Sequence, residues 1–334
     1  MVFDIKESSI IYVVCPANKK TGGTELAHQL VKELKDIGRK VFITYYGVDS
    51  TKNPINEAFL EYVNEYKCIF DIQDSPNNIL IVPEINFTIL DKYNVIQKAI
   101  WWMSVDNYIK NDGFIGACLI DGIYKAIRGV LSGRLTLKKK GFDTSITHFY
   151  QSEYAHDYLL KNGVKKCFQL SDYINDSYLN QNIPLEKCNT NNVVLYNPKK
   201  GIKFTKKLID KSIGIKWIPI ENMTTQQVKS LLGNSKVYVD FGNHPGKDRF
   251  PREAAIMGCC VITGKRGSAK FYKDIPIPSE FKFSENKTNI IEIISKINKC
   301  LDEYEEESKK YNKYKYMIRH EHEIFKKDVM TIFN

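Results

Sequence analysis

Apolar and polar positions along the chain form blocks that predict short buried strands, each followed by an amphipathic helix. Residues 10–15 are an apolar run rich in β-branched side chains, and the apolar positions of 24–36 then recur at helical spacing. Gly38 and a second apolar run at 40–46 complete a strand–helix–strand unit. Repetition of such units predicts an α/β protein with parallel sheets covered by helices on both faces.

The same alternation continues in two blocks. The first block adds strands at 78–83, 98–105 and 147–152 and a helix at 153–161. The pattern lapses at 176–190, an Asn-, Pro- and Lys-containing stretch that we interpret as a linker. It then restarts with strands at 193–196 and 216–220, helices at 204–211 and 225–232, and a charged helical tail at 289–333. A length of 334 residues fits two domains of roughly 150 residues each.

The most informative segment is 237–264, which predicts a strand, a polar loop, a short helix and a second strand. Gly242, Pro245 and Gly246 end the first strand. Pro251 suits the first turn of a helix, where its missing N–H costs nothing, and Gly258 ends that helix before the buried strand 259–263.

The loop of this segment combines cations with a helix N-terminus. Lys247, Arg249 and Arg252 lie beside the predicted helix start, with Glu253 one step inside. Cations and free helix N–H groups favour a bound anion, whereas a carboxylate there suits ribose hydroxyls. A nucleoside diphosphate satisfies both demands, and the alternative is an ordinary strand–loop–helix with a solvated basic loop.

The run Pro251-Arg252-Glu253-Ala254-Ala255, followed by a glycine and a small-residue strand, resembles the donor-site signature of the retaining glycosyltransferases of family 4. The resemblance implies the GT-B fold, with two Rossmann-like doubly wound domains and a cleft between them, and assigns Glu253 to the nucleotide ribose. That family has a further glutamate eight positions upstream, where this chain has Pro245.

The resemblance also implies the domain roles. Residues 1–180 would form an acceptor domain, joined by a C-terminal helix at 311–334, and residues 190–310 would form the nucleotide-sugar donor domain. Retention of the anomeric configuration is likewise what the family implies.

A second anion site is predicted directly after the strand 193–196, where the sequence reads Asn197-Pro-Lys-Lys-Gly201. The carboxyl ends of parallel strands face the ligand crevice, so these lysines would point toward it. The place resembles the family's Lys-Gly pair that neutralises the donor diphosphate, with Lys200 the better match and Lys199 the second. Asn197 stands where the family has an arginine, and the alternative is a surface turn.

Two loops supply backbone donors. Gly22 and Gly23 let the backbone approach a ligand, and Thr24 is the predicted N-cap of the following helix. This is not G-x-G-x-x-G, so a dinucleotide site is not indicated. Near the last buried strand, the amides of Gly267 and Ser268 are candidates to cradle the donor phosphate or sugar.

Polar residues also follow the strand that contains Trp101 and Trp102. Asp106 lies at its predicted carboxyl end and is a candidate for sugar binding or for a catalytic base, and the tryptophans are candidates to stack on a sugar. The alternative is a capped strand end. The family usually has histidine-containing sequence near here, and this chain does not.

The net charge of the chain indicates which classes of partner to expect. A net charge of +10 calls for an acidic partner, but Lys is spread without Arg-rich or aromatic-interleaved blocks, so nucleic acid is not expected. Residues 123–140 carry six cations and no acidic residue among apolar side chains. This predicts either contact with an anionic membrane or a solvated surface helix.

The eight cysteines form no C-x-x-C pair and are expected to be reduced, as in a cytoplasmic protein. The N-terminus lacks a signal-peptide layout, and no apolar run is long enough to span a bilayer. His320 and His322 are only two positions apart and do not form a zinc-binding H-E-x-x-H motif.

We therefore expect a cytoplasmic glycosyltransferase, active at the inner face of the cell membrane, that uses a UDP- or GDP-type sugar. It would need no tightly bound cofactor or metal, because Lys200 and Arg249 would stabilise the leaving diphosphate. The acceptor would be a saccharide or lipid-linked molecule in bacterial surface polysaccharide or glycolipid assembly. The alternatives are a nucleotide-sugar epimerase of the same fold and a non-catalytic module that binds anionic ligands or membranes.

Overall fold

The computed structural model describes residues 2–49, 51–179 and 193–334. The chain divides into two compact units. The first is Met1–Asp172 together with Glu323–Asn334, and the second is Tyr173–His322.

In its described part, the first unit is built on a seven-stranded sheet in which all neighbouring strands are parallel. The strands are β1 (Ile11–Pro16), β2 (Val41–Tyr46), β3 (Tyr66–Cys68), β4 (Ile79–Pro83), β5 (Gln97–Trp102), β6 (Thr147–Tyr150) and β7 (Cys167–Gln169). Their order is β3-β2-β1-β4-β5-β6-β7. The central strands β1 and β4 are almost wholly buried, as expected for a parallel sheet with both faces covered.

Helices of the first unit are α1 (Gly22–Asp36), α2 (Val105–Asn111), α3 (Phe114–Asp121), α4 (Ile123–Leu131) and α5 (Glu153–Lys161). The last helix of the chain, α12 (Glu321–Phe333), packs its C-terminal part onto the same unit. Phe333 lies 6.0 Å from Phe149 between ring centroids, and Asp328 accepts a hydrogen bond from the backbone N–H of Ser171 at 2.9 Å.

The second unit contains a four-stranded sheet, again parallel throughout its described strands. These are β8 (Val193–Tyr196), β9 (Lys216–Pro219), β10 (Val237–Asp240) and β11 (Cys260–Thr263), in the order β11-β10-β8-β9. The helices are α6 (Ile202–Lys211), α7 (Thr225–Gly233), α8 (Arg249–Ile256), α9 (Ile290–Asp302), α10 (Tyr304–Lys309) and α11 (Asn312–Arg319). Their apolar faces and the strands form one core.

Several local predictions need correction. Helix α1 is capped by Thr21, not by Thr24, because the Thr21 side chain accepts the Thr24 N–H while Thr24 Oγ1 accepts the Thr21 N–H. The strand predicted at 98–105 ends at Trp102, since Val105 already begins α2. Helix α8 begins two residues before Pro251, which occupies its first turn. Most of the predicted linker, residues 180–190, lies outside the described residues.

The seven cysteines in the described ranges are all free thiols. Among the helices of those ranges, none has the length and apolar character needed to cross a membrane.

Candidate functional site

The strand order of the second sheet defines where a ligand would bind. Strand β8 lies between β9 and β10, so the chain runs to opposite sides of β8 in two successive connections. At such a switch point the loops after the two strands diverge at the carboxyl edge and leave a crevice for a ligand. The relevant loops are 197–201, after β8, and 241–248, after β10. The sequence analysis predicted an anion site in both of these loops.

Three glycines bring the loops at this edge together. Gly201 has φ +56°, and a Cβ on it would lie 1.9 Å from the carbonyl oxygen of Phe241. Gly242 lies against Gly201 in the same way, and a Cβ on Gly267 would lie 2.0 Å from the carbonyl oxygen of His244. No side chain fits at these distances, so glycine is required for the backbones to pack this closely.

Lys200, Asp248 and His244 form a linked set of charges at this edge. The Lys200 ammonium donates to the Asp248 carboxylate, and His244 Nδ1 lies 2.9 Å from the same carboxylate oxygen. On its other side, His244 Nε2 lies 3.8 Å from Asp240 Oδ1. Asp240 also accepts a hydrogen bond from the Tyr238 hydroxyl at 2.8 Å.

The pKa values of these groups reflect burial set against pairing. Burial raises the pKa of Asp240 above its ordinary value, and the nearby His244 only partly offsets this. For His244, burial alone would lower the pKa, but the Asp240 and Asp248 carboxylates outweigh it and raise the pKa. For Asp248, burial is likewise outweighed, here by His244 and Lys200, and the pKa falls below its ordinary value. Pairing thus favours the protonated form of His244 and the ionised form of Asp248, whereas burial favours the protonated form of Asp240.

A second ion cluster lies under the same loop. Lys247 Nζ and Arg252 Nη1 each lie 2.9 Å from the Glu321 carboxylate, at the start of α12. Arg252 also donates to the carbonyl oxygens of Lys247 and Asp248 and is fully buried. The prediction that Arg252 contacts a nucleotide is therefore not retained: its guanidinium fastens the loop to α12 instead.

Arg249 and Glu253 occupy the first turns of α8, and both side chains are half-buried. Asp248 is the N-cap residue but makes no side-chain cap bond, because its carboxylate is engaged with Lys200 and His244. The structure thus brings Lys200 next to the helix turn that carries Arg249 and Glu253, as the anion-site prediction requires.

The remaining residues predicted in the second unit divide into two groups. Lys199 is exposed, and its N–H donates to the side-chain oxygen of the buried Asn197, which shapes the turn. The prediction that the Ser268 amide is available to a ligand is wrong. Its N–H donates to His244 at 2.9 Å and its hydroxyl donates to Gly246 at 2.6 Å, so it joins two loops.

Asp240, His244 and Asp248 also have the chemistry of a metal site. One ligand atom from each lies within 4.8 Å of the others, and two carboxylates with an imidazole suit a divalent cation. Lys200 already occupies one of these carboxylates, however, and a cation there would face its ammonium group. The absence of a metal requirement stays a prediction.

The first unit has a corresponding edge. Strand β1 lies between β2 and β4, so the first turn of α1, which contains Gly22 and Gly23, adjoins the chain that follows β4. A Cβ on Gly23 would lie 3.3 Å from Met103 Sδ. Glu84, directly after β4, accepts the Met103 N–H at 3.0 Å, and burial raises its pKa to about 7. Thr24 is buried and engaged in the helix cap, so its side chain is not presented to a ligand.

Asp106 lies in the first turn of α2, in the first unit, whereas Lys200 and Arg249 lie in the second. It is buried and accepts a hydrogen bond from the Tyr154 hydroxyl at 2.6 Å. The predicted stacking of Trp101 and Trp102 on a sugar is wrong, because both rings are fully buried and their N–H groups donate to Leu170 and His148.

Sequence reasoning missed His244, Asp240, Glu321 and Glu84. The first two are visible as an Asp-x-x-x-His-x-x-x-Asp spacing at the carboxyl end of a predicted strand, with Asp248 as the third member. No local signal marks Glu321, which is 69 positions from Arg252.

Solved structures resemble the chain along most of its length. Anabaena HepE in complex with UDP-glucose has a TM-score of 0.61 at 12% identity, over 97% of this chain and 96% of that one. The lipopolysaccharide outer core galactosyltransferase WaaB, in its apo form, has a TM-score of 0.58 at 10% identity, over 97% and 98%. A variant of S. aureus TarM, in complex with fondaparinux, alpha-GlcNAc-glycerol and UDP, has a TM-score of 0.56 at 16% identity.

The TarM match covers 79% of this chain but only 56% of the TarM chain. No protein-family model matches the sequence, and neither does any curated protein. These structural likenesses, all below 25% identity, concern the fold. They confirm the predicted α/β class with two parallel-sheet units of the GT-B type.

Proposed function

We propose that this chain is a glycosyltransferase that moves a sugar from a nucleoside diphosphate sugar, of the UDP or GDP type, to a saccharide or lipid-linked acceptor. The observation that carries the proposal is the edge of the second sheet, where Lys200, Arg249 and the start of α8 meet at the switch point. Two structural neighbours support the proposal, since HepE was solved in complex with UDP-glucose and WaaB is a galactosyltransferase.

The proposed chemistry is electrostatic. Lys200 and Arg249 would neutralise charge that develops on the leaving diphosphate, a contribution that is commonly the largest in catalysis. Lys200 is held by Asp248 until a diphosphate oxygen replaces that carboxylate as its partner. Glu253 would accept hydrogen bonds from the ribose, while Asn197, Lys199, Lys247 and Gly267 would line the donor site. No metal is needed in this scheme.

The finer assignments rest on the resemblance at residues 251–263. They are membership of glycosyltransferase family 4, retention of the anomeric configuration, and a role in surface polysaccharide or glycolipid assembly. Residues 190–310 would bind the donor. Residues 1–180 would bind the acceptor, joined by the C-terminal part of α12 in place of the single helix predicted at 311–334, with Gly22, Gly23 and Asp106 at the edge of the sheet. The enzyme would act in the cytoplasm at the inner face of the membrane, with residues 123–140 toward the lipid.

The test is a thermal-shift panel of UDP, GDP, CMP, ADP and their sugars, followed by a transfer assay with the stabilising donor. A ligand that binds only the native state raises apparent stability, so one nucleoside diphosphate and its sugar should stand out. Glu253→Ala should reduce donor use, and the exposed Glu303→Ala is the matched control.

Two outcomes would replace this proposal. Conversion of the donor to an epimer in the absence of any acceptor would identify an epimerase. Failure of every nucleotide and sugar to shift the unfolding temperature would leave only a non-catalytic binding module.

A further inference from the structure

Helices α3 and α4 with the loop that follows them present an unusual surface, which we call the α3–α4 surface (residues 114–140). Of the twenty large apolar side chains that are exposed in the described part of the chain, seven lie on it. They are Ile115, Leu119, Ile123, Tyr124, Ile127, Leu131 and Leu137. Leu119, Tyr124 and Leu131 are each more than three-quarters exposed. Clusters of exposed apolar side chains of this kind mark interaction sites.

The α3–α4 surface owes this exposure to an inverted packing. Its small interior is formed by Ala117, Ala126 and Leu135, and Gly129 packs against Leu135. A Cβ on Gly116 would lie 1.9 Å from the carbonyl oxygen of Ile109, so α3 sits directly on the end of α2. On α3 and α4, Gly116, Ala117, Ala126 and Gly129 therefore face the protein, whereas most of the large apolar side chains face outward.

Helix α4 has three distinct faces. Ala126, Gly129 and Val130 pack inward. Ile123, Ile127 and Leu131 follow one another at four-residue spacing and form an exposed apolar stripe. Next to that stripe lie the exposed cations Lys125 and Arg128. A helix that lies in the plane of a membrane interface has this arrangement, with an apolar stripe bordered by cations.

A cavity beside the apolar stripe collects positive charge. It has a volume of about 440 Å³ and is lined by Lys125, Arg128 and Arg134, together with Asp121, Gly129 and Ser132. Three cations against one carboxylate leave a positive excess, and the serine hydroxyl adds a hydrogen-bond donor. A phosphate group of a lipid headgroup fits this lining in charge and in hydrogen bonding.

We propose that the α3–α4 surface docks onto an anionic phospholipid bilayer, with the apolar stripe of α4 entering the interface and a headgroup phosphate in the adjacent cavity. The proposal deepens the lipid-linked option of the proposed function, on which its biological meaning rests. Lys138, Lys139 and Lys140 extend the positive charge along the loop, although Lys139 also lies 3.8 Å from Asp112. Each cation near an anionic surface strengthens attachment several-fold.

Charge favours a membrane over a second copy of the chain. A symmetric dimer through the α3–α4 surface would place the same patch of six cations from residues 123–140 opposite itself. Like charges facing one another oppose association, whereas an anionic bilayer complements both the cations and the apolar side chains.

The experiment is vesicle co-sedimentation of the full chain. Vesicles of phosphatidylcholine with phosphatidylglycerol should bind the protein at least tenfold more tightly than pure phosphatidylcholine vesicles, and added salt should weaken that binding. Lys125→Gln/Arg128→Gln and Ile123→Ser/Leu131→Ser should each reduce the partition coefficient about tenfold or more. Lys206→Gln/Lys207→Gln and Ile213→Ser, which are equally exposed changes on the second unit, should not.

A Tyr124→Trp variant then reports insertion, since its fluorescence should shift to the blue when anionic vesicles are added. Equal binding to both kinds of vesicle, unchanged binding by the α4 variants, or no blue shift would overturn the proposal. So would a dimer that Leu131→Ser dissociates in the absence of lipid. The thermal shift with UDP or GDP, measured on the same variants, should be unchanged. If vesicles bind but no nucleotide does, it is the proposed function that fails.

Discussion

Two buried histidines, one in each unit, have pKa values that are shifted in opposite directions. His28 in α1 and His244 after β10 are both almost fully buried, and burial alone lowers the pKa of each. For His28 burial dominates and lowers the pKa to about 4, because the neutral partners of its ring nitrogens, the carbonyl oxygen of Thr24 and the hydroxyl of Tyr45, do not offset it. His244 lies between two carboxylates, and its pKa is raised. Partners, not burial, decide the charge.

The same contrast extends to the carboxyl edges of the two sheets. At the first edge, the buried Glu84 is held by backbone N–H groups and Asp106 by a tyrosine hydroxyl. At the second edge, Lys200 is paired with the Asp248 carboxylate. Two sheets with similar switch points thus have different carboxyl edges, a hydrogen-bonding edge in the first unit and an ionic edge in the second.

The largest expected effect concerns the ion pair beneath the second edge. Glu321→Gln removes the charge that balances the buried Arg252, so the second unit should lose about 3–5 kcal/mol of stability. Hydrogen exchange of peptides from α8 should speed up accordingly. Glu323→Gln, an exposed change two positions away, is the matched control. Equal exchange in both variants would show that the buried pair contributes little.

Next in size is the loss of Lys200. Lys200→Met should lower the rate of transfer about 10²- to 10³-fold, because it removes a charge that stabilises the leaving diphosphate. Steady-state kinetics with the donor found in the thermal-shift panel provide the measurement. Lys207→Met, on the exposed face of α6, should keep the wild-type rate. A fully active Lys200→Met enzyme would remove the ionic edge from the mechanism.

A third effect separates the two edges by pH. Because the folded pKa of Glu84 is raised to about 7, its proton is bound more tightly in the folded chain, and stability is lost as pH rises from about 4.5 to 7. Glu84→Gln should abolish that loss, which is on the order of 3 kcal/mol for the first unit. In a Trp217→Phe background, denaturation followed by Trp101 and Trp102 fluorescence reports this unit.

Exposed Glu57→Gln should leave the pH dependence of the first unit as it is in the wild type. If Glu84→Gln and Glu57→Gln give the same pH profile, Glu84 is not the group that titrates.

The smallest effect concerns the two histidines themselves. NMR titration of the imidazole signals should place the midpoint of His244 above the ordinary value near 6.5. Asp248→Asn should lower the His244 midpoint, because it removes one of the two carboxylates that hold the charged ring. The His28 midpoint should stay near 4 in both proteins. A titration midpoint of His244 that is the same in the wild type and in Asp248→Asn would contradict the proposed effect of Asp248 on His244.

Long periodic segments could be predicted from the sequence because their spacing reports which face is buried. Helix α5, strand β8 and the central strand β1 lie where the pattern placed them, within a residue. The edge strands β3 and β7 were missed, since three half-exposed residues carry no recognisable alternation. The placement of the polar loops at the carboxyl ends of the strands followed from strand–helix alternation and the general rule for parallel sheets, whereas the strand order that defines the switch point was not predicted.

The candidate site was only partly predictable, for a reason that Arg252 illustrates. Its position beside a helix start suggests an anion ligand, but burial against Glu321 depends on where α12 begins, 69 positions later. The predictions for Ser268 and Thr24 were wrong for the same reason, because the polar atoms of these residues are hydrogen-bonded to a neighbouring loop or within the helix cap. Gly201 and Gly242, by contrast, lie in loops that follow strands, where glycine indicates that two backbone segments approach each other closely.

The central claim is that the edge of the second sheet binds a nucleoside diphosphate through Lys200, Arg249 and Glu253. Calorimetric titration of UDP and GDP into the wild type and Arg249→Ala tests it most directly. The account predicts binding of one nucleotide by the wild type and a loss of about 1.5–3 kcal/mol in Arg249→Ala, the scale of a hydrogen bond to a charged group. Equal affinity of the two proteins, or no binding of either nucleotide, would contradict it.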